Sequence, residues 1–294
     1  MTHQWLRSIA LDVGTGSSGF ALASTSSLRV VFEVERDEKP WPNTAKIQVY
    51  NLNPDHRRAL STLQDVPVKL QAGYQDGIGL LFDGMLRDVT SVHDSVDWIT
   101  TLNTGDGERD RKGEPIAGKT IKQTWSKGTP LVSVLSAFAT ALNVDMGNVQ
   151  TMGAAAKLPT GLALTHAFAV DGPALDELIY LMRSLQMPWS IQNGKLQVRP
   201  APAVPASEGP LISTMTGLVG GNVEISREKV KRFGHTIDVK LCKGKCLLLP
   251  ELKPGCMFVL DSQAVIGTVL VTKIKHTGDT DGQDWYTEFE GIYG

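Results

Sequence analysis

A six-residue phrase occurs twice in this chain: Asp97-Trp98-Ile99-Thr100-Thr101-Leu102 and, near the C-terminus, Asp284-Trp285-Tyr286-Thr287-Glu288-Phe289. Each copy follows a glycine-centred apolar segment, Leu81-Phe82-Asp83-Gly84-Met85-Leu86 in the first and Val265-Ile266-Gly267-Thr268-Val269-Leu270 in the second. From that glycine to the tryptophan the chain runs 14 residues in one copy and 18 in the other, a difference that a long hairpin between two strands accommodates. Two similar β domains in one chain would let three subunits present six quasi-equivalent positions.

The pattern around the first copy is that of a half-buried sheet. Leu28 to Arg36 alternates, with Val30, Phe32 and Val34 on one face and Glu33 and Glu35 on the other; Ala45–Leu52 and Val66–Gly73 read as further strands. Asn53-Pro54 opens a short helix through Leu60, asparagine as cap and proline in the first turn. Residues 1–105 are expected to form an antiparallel β domain with one small helix.

Residues 106–128 are polar and rich in glycine and lysine, and read as a loop or crossover. At Thr129-Pro130 the period turns helical, with Leu131, Val134, Leu135, Phe138 and Leu142 on one face. A second helix is expected from Asp171-Gly172-Pro173, with Leu175, Leu178, Ile179, Met182 and Leu185 inward. A hairpin from Trp189 to Val198 then turns at Asn193-Gly194. The proline-rich stretch from Arg199 to Pro210 reads as a stiff linker. The expectation is a mainly β chain with an α+β middle: a domain over 1–105, a helix-and-hairpin domain with its linker over 106–205, and a second β domain over 206–294.

Charge and cysteine content narrow the function. Lys+Arg 29 against Asp+Glu 31 leaves a net charge of −2, and the three pieces carry −3, +2 and −1, so no segment is a basic module for nucleic acid or anionic lipid. No apolar run spans a bilayer, and the first residues lack the layout of a secretory signal. Cys242, Cys246 and Cys256 are too few and too clustered for a disulfide framework, which points to synthesis in a reducing cytoplasm.

Four motifs invite chemistry. Asp12-Val13-Gly14-Thr15-Gly16-Ser17-Ser18-Gly19 resembles the first phosphate loop of actin-like and sugar-kinase ATPases, where a strand-end Asp handles metal and Gly/Ser amides hold phosphate. Such an ATPase needs a second loop, an adenosine-side glycine pair and many helices; Gly220-Gly221 is a poor substitute for the pair, so the loop reads as a tight turn between strands. Cys242, Cys246 and Cys256, with His235, lack the spacing of a closed zinc site and read as reduced thiols on strands. Asp279-Thr280-Asp281-Gly282-Gln283-Asp284 has its glycine fourth and an aspartate sixth, which departs from a calcium loop and reads as a hairpin turn. His93-Asp94 sits in a polar turn and needs no catalytic role. No catalytic, cofactor-binding or metal-ligating residue is assigned.

The block from Phe32 to Val89 resembles the opening domain of bacteriophage tail baseplate hub proteins of the T-even and Mu type. It carries Phe32-Glu33-Val34, then Pro42-Asn43-Thr44-Ala45 feeding Ile47-Gln48-Val49-Tyr50-Asn51-Leu52, then Ala72-Gly73-Tyr74, then Phe82-Asp83-Gly84. The C-terminal stretch is similar again, through Thr216-Gly217-Leu218-Val219-Gly220, Leu249-Pro250-Glu251-Leu252-Lys253-Pro254-Gly255, and His276 to Thr287. Trp189-Ser190-Ile191-Gln192-Asn193-Gly194-Lys195-Leu196 resembles the end of the family's small α+β insertion. Leu241-Cys242-Lys243-Gly244-Lys245-Cys246 departs from the plainer family pattern.

The resemblance implies two tube-like antiparallel barrel or sandwich domains flanking the helix-hairpin piece. It further implies a homotrimer whose six β domains make a pseudo-hexameric ring at the end of the tail tube. One side would meet the tube or an adaptor, the other the central spike, alongside other baseplate proteins. DNA would pass through without specific binding. Such a chain is a non-enzymatic virion component assembled in the host cytoplasm, with no cofactor. The alternatives are another tail component, such as a tube or tube-terminating protein, and the Asp12–Gly19 ATPase.

Overall fold

The computed structural model describes residues 6–14, 20–22, 28–38, 43–106, 115–147, 163–185, 187–192, 194–198, 209–220, 223–232 and 235–294. The first part holds β1 (Arg7–Val13), β2 (Phe20–Leu22), β3 (Val30–Asp37), β4 (Asn43–Tyr50), α1 (Pro54–Ser61), β5 (Pro67–Tyr74), β6 (Gly77–Asp94) and β7 (Asp97–Asp106). The alternation read in the sequence is the burial pattern observed: Val30, Phe32 and Val34 are buried while Glu33 is exposed. In α1 the Asn53 side chain accepts a hydrogen bond from the His56 amide at 2.7 Å, as a cap of this type does.

The middle holds β8 (Thr120–Trp125), α2 (Leu131–Leu142), β9 (Asp145–Met146), β10 (Phe168–Pro173), α3 (Ala174–Ser184), β11 (Trp189–Gln192) and β12 (Lys195–Val198). All five residues expected on the inner face of α2 are buried, and Asn143 ends the helix in the left-handed region at φ 56°. Two expectations are corrected. The polar stretch over 106–128 contains β8, whose Ile121 and Trp125 are buried; the intervening Lys122, Gln123 and Thr124 and the short length hide its period. Asp171-Gly172-Pro173 ends β10, paired with β8, and α3 begins only at Ala174. Trp125 lies between Phe138 and Phe168, with ring centroids 5.9 and 5.6 Å away. The β11–β12 hairpin closes with Gln192 opposite Lys195; Asn193 and residues 199–208 of the linker lie outside the described residues.

The last part holds β13 (Leu211–Ser213), β14 (Glu224–Arg232), β15 (His235–Leu247), β16 (Met257–Asp261), β17 (Ile266–Asp279) and β18 (Trp285–Tyr293). Among the described residues there are three helices in all, and none is long and apolar enough to cross a membrane. The first and last parts share one 13-stranded sheet, ordered β14-β15-β18-β17-β3-β4-β7-β6-β5-β1-β2, with β16 also on β17 and β13 on β16. They form one compact unit, and the described residues of 106–202 form a second.

Each unit has its own core, so damage to one should stay there. Phe138→Ala, a fully buried truncation, is expected to cost about 3–5 kcal/mol. Amide exchange should then speed up through α2, α3 and β8 while the strands of the large sheet keep their protection; equal loss in both would contradict separate cores.

Candidate functional site

The large sheet contains the same strand arrangement twice. In chain order β3, β4, β5, β6, β7 lie side by side as β3-β4-β7-β6-β5; β14, β15, β16, β17, β18 lie as β14-β15-β18-β17-β16. The match extends to single residues. Arg87 is the extra residue of a bulge between β6 and β7, and Thr272 is the extra residue of a bulge between β17 and β18. Six residues beyond each bulge lies the partner of the repeated tryptophan, His93 opposite Trp98 and Gly278 opposite Trp285. The Trp98 carbonyl accepts from the Asn51 amide at 2.7 Å, and the Trp285 carbonyl from the Leu248 amide at 3.0 Å.

Aligned on the bulges, Gly84 corresponds to Val269, and Gly267 to Phe82. The glycines that frame the sequence repeat are therefore not equivalent. Of the four-residue difference between the two glycine-to-tryptophan gaps, half is this offset and half is a longer second turn.

The repeated threonines are the innermost element of both copies. Thr100 and Thr287 are each fully buried and face a polar partner on the neighbouring strand. Ser91 Oγ lies 3.1 Å from Thr100 Oγ1, and at the equivalent place His276 Nδ1 lies 2.8 Å from Thr287 Oγ1. Complete burial pushes the His276 imidazole down to about 3, and the nearby Arg36 and Lys253 charges act in the same direction.

One pairing joins the copies. β17 runs antiparallel to β3, with Lys273 opposite Asp37, His276 opposite Val34 and Asp279 opposite Val31. Trp285 seals this seam from inside: it is 2% exposed, meets Phe32 edge-on at 5.4 Å and donates from Nε1 to the Gly73 carbonyl at 3.2 Å. On the solvent face charges alternate across four strands. Lys243 bonds Glu290 at 3.1 Å, Lys245 lies 3.7 Å from Glu288, and Lys275 reaches Glu33 at 3.0 Å and Glu35 at 3.7 Å. Such exposed pairs are each worth about 0–1 kcal/mol, so they orient the seam more than they hold it.

At the turn end of the seam two arginines clamp Asp279. Arg29 donates from Nε and Nη2 to its carboxylate at 3.0 and 2.6 Å, which holds that carboxyl below its usual range. Arg7 donates to the Asp279, Gly282 and Gln283 carbonyls. The stretch that looks like a calcium loop is thus the β17–β18 turn, and guanidinium groups hold its Asp279 carboxylate and its Asp279, Gly282 and Gln283 carbonyls.

The other motifs resolve as follows. Asp12 lies in β1, opposite Ala21 of β2 and Lys69 of β5; the chain passes from Val13 to its partner Phe20 in an antiparallel hairpin, and residues 15–19 lie outside the described residues. Among the described residues the chain has three helices, where such an ATPase packs many on its sheets. Cys242 and Cys246 are buried where the first copy has Ala45 and Val49, and desolvation pushes both thiols up to about 12. Cys256 is exposed, and the His235 side chain lies outside the described residues. Gly220 takes a positive φ of 75°, while Gly221 falls outside the described residues. Among the described residues no group of three or more His, Cys, Asp or Glu is placed to hold a metal. His93 packs its ring 5.0 Å from Trp98, which also carries the Arg57 guanidinium at 3.8 Å. The seam itself escaped sequence reading; the one signal for it was Lys273 and Lys275 spaced like Glu33 and Glu35.

The sequence matches no described protein family, and no curated protein matches it. Solved structures do. A tail protein from Neisseria meningitidis MC58 superposes with a TM-score of 0.60 at 9% identity, over 98% of this chain and 97% of the other. A 43 kDa tail protein of prophage MuSo2 from Shewanella oneidensis gives 0.58 at 8% identity, over 97% and 98%. An Escherichia coli component of the type VI secretion system, described as structurally similar to the T4 phage tail proteins gp27 and gp5, gives 0.54 at 10% identity, over 97% and 76%. The chain has the mostly β fold of these phage tail proteins; at these identities the likeness is one of fold.

Two measurements test this geometry. Unfolded, His276 takes up a proton near pH 6.5; folded, it stays neutral to about pH 3, so the unfolded state binds more protons in between and stability falls as pH falls through that window. His276→Asn should flatten the urea-unfolding free energy over that range by up to about 1.4 kcal/mol per pH unit; an unchanged slope would contradict the buried neutral ring. Arg29→Ala strands a mostly buried carboxylate and should cost about 1–3 kcal/mol, while added calcium leaves the wild-type melting temperature unchanged.

Proposed function

We propose that the protein is a structural component of a phage tail, the baseplate hub, acting as a homotrimer. Three chains with two repeats each supply six quasi-equivalent positions, so a three-fold body meets a six-fold tube on one side and a three-fold spike on the other. The observation that carries this reading is the duplicated arrangement β3-β4-β7-β6-β5 and β14-β15-β18-β17-β16, with one copy sewn to the next by β3 and β17. A seam within the chain is a pattern for a seam between chains, and a closed ring of such seams leaves no free sheet edge. The likeness to tail proteins supports the setting: a virion part, with tube or adaptor and spike as partners.

The role is mechanical and asks for no reaction. A net charge of −2 suits a channel wall that DNA crosses without being held, because strong phosphate binding would slow its passage. The rival within the same setting is a tube or tube-terminating protein, built of six single repeats; the internal duplication favours the hub.

Native mass spectrometry of the purified chain separates the two. Three copies per particle are expected. Six or twelve would remove the hub reading and favour the tube.

A further inference from the structure

The internal seam is built from four positions, and the repeat supplies a second set of which three stay exposed while the fourth, Val223 in the place of Phe32, is buried. At the seam, Val34 of β3 lies opposite His276 of β17, and Trp285 packs behind against Phe32. The equivalents follow from the registers. Ala45 opposite Val34 corresponds to Cys242 opposite Ile225, so β14 stands for β3. The bulges place the distal half of β6, Asp88–Asp94, at the position of Lys273–Asp279 in β17, so Ser91 stands for His276. Trp98 stands for Trp285.

Burial is where the two sets differ. Val34 is 0% exposed and Ile225 38%; Trp285 is 2% exposed and Trp98 38%; His276 is buried and Ser91 is exposed. Among the described residues β14 is the last strand at one end of the sheet, and the distal half of β6 is paired only on the side of β7. Asn51, whose side chain accepts from the Trp98 amide at 3.0 Å, holds the tryptophan in strand register, and beside Arg57 and His93 the ring keeps an exposed area that a neighbour can cover.

We infer that β14 of one copy of this chain pairs antiparallel with the distal half of β6 of another copy, in the register of the internal seam. Arg227 then lies opposite Val89, Ile225 opposite Ser91 and Glu224 opposite Val92, and Trp98 closes over the Ile225 and Val223 side of the junction. This rests on the proposed trimeric role for its partner, a second copy, but not for its strands or register. The two seams agree in the inward row and differ in the outward one. Lys273 opposite Asp37 within the chain becomes Asp88 opposite Glu228 between chains, a like-charge pair. The interchain seam therefore depends on its inward row and main-chain bonds, is weaker than the internal one, and tightens with added salt.

The test is a register-specific cross-link in the full chain. With the exposed Cys256 replaced by serine, Val92→Cys and Glu224→Cys place two thiols directly opposite each other; Val92→Cys with Glu228→Cys sets them four residues out of register, roughly 13 Å apart along the strand. On mild oxidation the first pair should give covalent oligomers in high yield and the second almost none. Trp98→Ala, which also removes the ring's contacts with His93 and Arg57, should lower the melting temperature of the isolated chain modestly and weaken association by roughly tenfold or more.

Native mass of the same samples separates this inference from the proposed role. A three-copy particle whose in-register pair links no faster than the slipped one overturns the edge assignment and leaves the hub. An in-register link in a particle of another copy number keeps the edge and removes the trimer. A chain that stays monomeric and unlinked at every concentration overturns the edge.

Discussion

The main-chain ladder between β3 and β17 is the interaction on which the rest of this structure depends. Without it the chain would hold two modest antiparallel sheets, each with open strands of unpaired amides and carbonyls. With it they become one sheet of 13 strands and one compact unit. Everything distinctive in the second copy serves that junction. Trp285 turns into the core formed by Phe32 and its neighbours, His276 is stripped of water, and Arg7 and Arg29 fasten the turn at Asp279. The first copy keeps the same backbone and leaves the corresponding places polar or exposed: Ser91 for His276, and a half-exposed Trp98 for Trp285.

The asymmetry makes the two sets of strand edges unequal. Two identical copies would bind each other as readily within a chain as between chains. Here the internal seam carries the Lys275 pairs with Glu33 and Glu35, while the place of Lys275 in the first copy is taken by Thr90 and that of Lys273 by Asp88. The charges thus favour the internal pairing and give no such help at the equivalent edge of the first copy.

Much of the strand pattern was legible from period-two alternation, because half-buried strands such as Val30–Asp37 sort polar from apolar residues one by one. The helices of the middle unit were legible for the same reason at their own period. β8 was not, since Lys122 and Gln123 between Ile121 and Trp125 give too short and too polar an alternation. The start of α3 was misplaced because Gly172-Pro173 reads as a helix entry when it closes a strand. The repeat was legible in its Asp-Trp-Thr words, where burial and pairing demand particular side chains. Its glycines misled, because Gly84 and Gly267 relieve different contacts: a side chain at Gly84 would strike Phe82 and the Gly105 carbonyl, one at Gly267 the Tyr293 ring. The Asp279 turn could not be told from a cation loop by composition, since its partners, Arg7 and Arg29, lie some 250 residues or more away. No local pattern announces which strand edges will meet, because main-chain hydrogen bonding leaves little mark on side-chain identity.

The central claim is that one chain supplies two equivalent positions of a ring. End-on electron-microscope images of the assembled protein, averaged without imposed symmetry, test it most directly. Three subunits in a ring with six nearly equal lobes are expected, the copies of Thr100 and Thr287 falling at alternating, evenly spaced positions. A ring with three unequal lobes, or one in which the two copies sit at different radii, would contradict it.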